Sequence, residues 1–170
     1  MGKSTDQSQQ FIRDGIYAGT VAAIFSGIPS VTACILRQPT LHAAQEDALF
    51  SLAAVGNVLV GDDSFHQNIY YLVGMSIHLF LSYFFAVTIS YLTRNKQATF
   101  SAHLPSALIT VLYAHIAHLI ILPQLWPTPM LAELLSQTGH WPHIGDHLMF
   151  GVTVAFVLAK TKTAMVRMPQ

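Results

Sequence analysis

The stretch that decides the fold is GIYAGTVAAIFSGIPSVTACIL, residues 15–36, which runs without a single charged side chain. A bilayer-crossing helix needs about 20 mainly apolar residues, and this segment supplies them. Within it Gly15, Gly19, Ala23 and Gly27 recur every fourth residue. Small residues at that spacing predict a helix-packing face, because they let two backbones approach closely where lipid removes the hydrophobic drive. Pro29 is expected to kink the span near its far end. Cys34 lies among apolar and small neighbours and is expected to behave as a small packing hydrophobe. The preceding residues are polar and carry Arg13 and Asp14, so the segment reads as a retained first span, about 11–36, and not as a cleaved leader.

Further along, the same test finds three more spans, at about 68–93, 102–122 and 146–163. The whole chain has 170 residues, of which 52% are hydrophobic and 9% charged, with a mean hydropathy of +0.47. A soluble domain carries roughly 25% charged residues; this chain lacks the polar surface to cover itself in water. Its formal net charge is zero, and no basic surface argues for nucleic acid. One cysteine excludes an intrachain disulfide and a cysteine-based zinc site. Tyr70, Tyr71, Tyr91 and Trp126 sit near span ends, as an interfacial aromatic belt requires. Lys160 and Lys162 can snorkel toward headgroups.

Residues 41–59 carry acidic groups at one end and an apolar stretch too short to cross comfortably. They are expected to form an amphipathic helix at the membrane surface or across the bundle mouth, with a re-entrant or fifth span as the alternative. Thr128 before Pro129 resembles an N-cap and first helical position, so a short helix is expected at 130–137. With four spans, Lys3, Arg13, Arg94, Lys96, Lys160, Lys162 and Arg167 share one side, and Arg37 alone takes the other. Seven against one is a positive-inside asymmetry that places both termini in the cytoplasm. A fifth span destroys it. The expected fold is therefore an all-α membrane protein: a four-helix bundle with an interfacial helix between spans one and two.

That topology sorts the polar residues. Six of the eight carboxylates fall on the outer side (Glu46, Asp47, Asp62, Asp63, Glu133 and Asp146), together with His42, His66, His140, His143 and His147. His103 belongs to the cytoplasmic side. His78, His115 and His118 lie inside spans, and with His147 they can converge in the outer half. Ionisable residues inside a membrane are costly and mark a functional-site hypothesis. Three chemistries follow. His115 and His118, joined by His147 and Asp146 or His78, are candidate ligands for a divalent transition metal, since imidazole with carboxylate suits zinc, iron or copper. Facing histidines, His78 opposite His115 or His118, are candidate ligands for a haem b in the bundle. The histidines can instead exchange protons near neutral pH. The competing class is an accessory subunit of a homo-oligomer or larger membrane complex, in which the Gly15–Gly27 stripe faces a partner and the histidines only bond neighbouring helices. No phosphate-binding glycine loop, nucleophile elbow or zincin pattern is present, so the expected role is non-enzymatic. No inverted repeat supports a transporter of that kind.

The order of features resembles the YagU-like small inner-membrane proteins of bacteria. It is carried by Gly15, Gly19, Ala23 and Gly27 in span one, an amphipathic stretch, and Gly74 with His78 in span two. His118-Leu-Ile-Ile-Leu-Pro123 then closes span three and His147-x-x-x-Gly151 opens span four. The arginine that follows a proline pair after span one in that group is not matched; Arg37-Gln-Pro39 is only similar. The resemblance implies four spans and the bacterial inner membrane, and it implies no catalytic residues.

Overall fold

The computed structural model describes residues 3–60, 67–125, 133, 136 and 141–166, and all of the secondary structure among them is helical. Helix α1 covers Lys3–Ser26 and α2 covers Ile28–Arg37. They are two pieces of one apolar segment, parted at Gly27. Pro29 does not kink a continuous helix. It sits in the first turn of α2, with Gly27 as N-cap, where a missing N–H costs nothing because that donor has no helical acceptor.

Helix α3, Leu41–Val60, lies directly on α4, Gln67–Leu92. The contact is backbone to backbone. A Cβ on Gly74 would stand 1.8 Å from the Leu52 carbonyl oxygen, and one on Gly56 would stand 2.1 Å from that of Tyr70. Helix α5, Phe100–Ile116, continues without interruption through a π-helical turn, Ala117–Ile121, into α6, Leu122–Leu125. Pro123 has no N–H to give the carbonyl of Leu119, and widening the turn is a recognised way round such a gap. Helix α7, Trp141–Val166, starts before the span expected from residue 146. Pro142 is tolerated in its first turn, so His143, Asp146 and His147 all stand on helix. The short helix expected at 130–137 lies outside the described residues, except for Glu133 and Ser136.

Among the described residues, three helical stretches are long and apolar enough to cross a membrane: Gln9–Arg37, Ile69–Leu92 and Trp141–Lys162. Phe100–Ile116 is a shorter apolar helix. Helix α1 packs against α4 and α7, and α7 packs against α5. Neighbours run antiparallel: Gly15 meets Val87 and Gly19 meets Ser82 and Tyr83, while Ala23 meets His78. The core is built of Ala18 and Ala22 from α1, Ala86 and Ile89 from α4, and Ala107 and Val111 from α5. Phe150, Val154, Ala155 and Leu158 of α7 complete it. Its alanines allow close approach, as lipid-embedded packing needs. The opposite faces carry exposed Ile24, Leu72, Phe80, Phe84, Ile109, Leu112, Tyr113 and Phe156. So large an exposed apolar surface marks a membrane or partner contact.

The expected small-residue stripe is used inside the chain and only in part. Gly15 and Gly19 lie against α4, where a Cβ would come within 2.6 Å of Val87 Cα and 3.0 Å of the Ser82 carbonyl oxygen. Ala23 is half-buried, and a Cβ on Gly27 would meet nothing within 4 Å. Helical geometry explains the drift: at 3.6 residues per turn, each four-residue step rotates about 40° further round the axis.

Candidate functional site

The ionisable residues buried or half-buried in the bundle lie toward its two ends. The end that carries the start of α1 and the finish of α7 is called terminal here, and the opposite end distal.

At the distal end the break between α1 and α2 creates the first element of the site. The first backbone donors of a helix have no intrahelical acceptor, and Gly27 offers no side-chain cap to α2. Asp146 of α7 takes that role from across the bundle. Its Oδ1 accepts from the Ser30 amide at 2.9 Å, and its Oδ2 accepts from the Ser30 hydroxyl. A carboxylate at a helix N-terminus also meets the positive end of the helix dipole. Gly145 makes the approach feasible, since a Cβ there would lie 2.9 Å from Pro29 Cβ.

His147, next in sequence, forms the second element. Its Nδ1 is 3.0 Å from Nδ1 of His115 on α5, the two rings meeting edge to face at 81° with centroids 5.2 Å apart. One of these nitrogens must carry the proton and the other accept it. His78 of α4 is the third element. Its Nε2 donates to the carbonyl of Ala23 at 3.3 Å, and Asp146 lies within its electrostatic reach.

Of the residues expected to converge, the structure thus joins His115 to His147 and brings His78 near Asp146. His118 lies on the π-helical turn, and its side chain is outside the described residues. Among the described residues no three His, Cys, Asp or Glu side chains come together as metal ligands. The geometry also disfavours the haem expected between His78 and His115 or His118: Nδ1 of His115 stands 3.0 Å from Nδ1 of His147. His78, the other proposed axial ligand, has its Nε2 on Ala23.

The terminal end holds polar groups that topology alone had left on a wet surface. Asp14 is buried, 4% exposed, with Arg13 Nε 3.8 Å from its Oδ1. Lys162 of α7 donates to the carbonyls of Thr93, at 2.6 Å, and Arg94, at 3.3 Å, so it secures the turn that follows α4. His103 is fully buried, and neither ring nitrogen has a partner among the described residues. The sequence signal for His103 was its place just inside α5, four residues into an apolar run and too deep for a wet loop.

Comparison of the chain with known protein families, curated proteins and solved structures finds no match. The functional reading rests on the geometry.

Proposed function

We propose that this chain is a four-span protein of the bacterial inner membrane, with both termini cytoplasmic, whose distal polar site binds and releases protons. The fourth span in this reading is the unbroken helical run 100–125, whose length matches the others once α5, the π turn and α6 are taken together. The charge asymmetry supports the orientation. The resemblance to YagU-like proteins supports the membrane.

The observation that carries the proton reading is the Nδ1-to-Nδ1 contact of His115 and His147. In its neutral form the pair shares one proton across that contact. It takes up a further proton on the donor ring's Nε2, which turns the shared bond into a stronger, charge-assisted one. A second added proton would set two donors face to face and part the rings. The arrangement therefore holds one extra proton well and a second poorly. Asp146 at the N-terminus of α2 and His78 beside it provide adjacent carriers, and histidine is the side chain whose ordinary titration falls nearest neutrality.

Nitrogen NMR of isotopically labelled protein in lipid nanodiscs tests this. The expected result is that the His115 and His147 ring nitrogens titrate in two coupled steps, and that His115→Ala returns His147 to a single step. Independent titration of the two rings in the wild type would overturn the proton reading. So would stoichiometric retention of zinc, iron or copper that is lost on His115→Ala.

A further inference from the structure

The terminal end contains a cavity that the distal site does not use. It has a volume of about 100 Å³ and lies among Gln10, Phe11 and Asp14 of α1, Ser90 of α4, Arg94 and Asn95 just beyond it, and Lys162 of α7. Three observations make it more than a packing fault. Ser90 is 1% exposed and its hydroxyl, on the cavity wall, has no hydrogen-bond partner among the described residues. Buried polar groups in folded proteins are almost always satisfied, by protein or by ordered water. Asp14 is nearly as buried, and its ion partner Arg13 is a loose one, with a side chain 72% exposed. Lys162 lines the same space, its ammonium anchored by hydrogen bonds to the Thr93 and Arg94 carbonyls. A carboxylate, an ammonium and an orphan hydroxyl therefore surround a volume large enough for a few waters, each of which needs two to four polar partners.

We propose that this cavity is a water-filled proton-binding site, in which Asp14 takes up and releases the proton and Ser90 and Lys162 hold the waters that carry it to and from solvent. The proton moves from a cavity water to a carboxylate oxygen of Asp14, giving a neutral carboxyl, and returns by the same route. The charged and titratable groups around Asp14 are Arg13 on its own helix, Arg94 at the end of α4 and Lys162 on α7. Gln10 also hydrogen-bonds the carboxylate. Beyond Lys162, and within electrostatic reach of it, lies the buried imidazole of His103 on α5. The apolar core of Ala18, Ala22, Ile89, Val154 and Leu158 separates this site from the distal histidines, so it stands or falls independently of them.

Infrared spectroscopy of the full chain in nanodiscs reads the site directly. Acidification is expected to produce a protonated-carboxyl C=O band that is lost in Asp14→Asn and displaced in Asp14→Glu. The second variant keeps a carboxyl in the cavity should the first fail to fold. On transfer to heavy water the band is expected to shift within the mixing time. In Ser90→Val, which narrows the cavity and removes the hydroxyl, the same band is expected to shift at least several-fold more slowly. His115→Ala should leave the band unchanged, which separates this site from the distal one. The proposal is overturned if no Asp14-dependent band forms at any pH at which the protein stays folded. It is equally overturned if the band forms but exchanges as slowly as core amides, or if Ser90→Val leaves the exchange rate unaltered.

Discussion

Replacing Gly74 with alanine should separate α3 from α4, and the structure sets the size of the effect. The new Cβ would lie 1.8 Å from the Leu52 carbonyl oxygen and 2.7 Å from its carbon. A carbon and a carbonyl oxygen tolerate about 3.3 Å at closest, so the two backbones must part by roughly 1.5 Å. No side-chain rotamer can absorb that, because the obstacle is main chain. Overpacking ordinarily costs about 1–3 kcal/mol; with backbone on both sides we expect the upper end, about 3 kcal/mol. Gly27→Ala is the matched control. Its Cβ meets nothing within 4 Å, and its backbone already has right-handed helical angles, φ −76° and ψ −6°. The gain from a stiffer unfolded chain and the loss at an N-cap nearly offset, leaving it within about 1 kcal/mol of wild type. Equilibrium unfolding in mixed detergent micelles, followed by circular dichroism, measures both variants. If Gly74→Ala proves as stable as Gly27→Ala, α3 does not lie backbone to backbone on α4.

Three further outcomes follow from the polar contacts. Removing an unsatisfied buried group relieves its desolvation cost, so His103→Leu should raise stability by about 1 kcal/mol; a loss of that size would mean that its ring nitrogens bind water or a ligand. Asp146→Ala should cost about 1–3 kcal/mol by leaving the Ser30 donors unmatched. Ser30→Ala made on top of Asp146→Ala should then add little, and full additivity in the double-mutant cycle would deny the contact. His147→Phe removes one interhelical polar bond, worth about 0.6 kcal/mol on average in a membrane protein. It should therefore leave the fold intact while abolishing coupled titration at His115, and unfolding would show that the pair is chiefly structural.

Much of the fold is legible in the sequence because hydrophobic length is a local property. The stretches at 15–36 and 68–93 stand out from composition alone, and helices occupy both. The helix at Leu41–Val60 is likewise visible, but its seat on α4 is not. A close crossing needs only one small residue per helix at the point of contact. Gly56 and Gly74 therefore leave no periodic trace, whereas the conspicuous Gly15–Gly27 series rotates away from its neighbour by its last member. The site divides in the same way. That His115 and His147 could meet follows from their shared depth. The bond from Ser30 to Asp146 spans 116 residues and depends on α2 starting afresh at Gly27. A proline near a glycine is the sequence's only hint of that. Asp14 and Lys162, near the ends of their apolar segments, read as interfacial charges, and only the packing of α1 on α7 shows that Asp14 is enclosed.

The joint at Gly27 has one more implication. A helix cap normally belongs to its own chain segment and is always present. The cap of α2 is on loan from α7, and it serves best while Asp146 is ionised and within reach. Neutralising that one carboxylate would weaken the hold on the Ser30 amide, loosen the dipole's anchor and leave α2 tied to the rest of the bundle by its side contacts with α3 and α7. With α3 itself held backbone to backbone on α4, those side contacts would become the whole attachment of α2 beyond the break at Gly27. A single carboxylate on α7 would thereby govern how firmly ten residues of helix are seated.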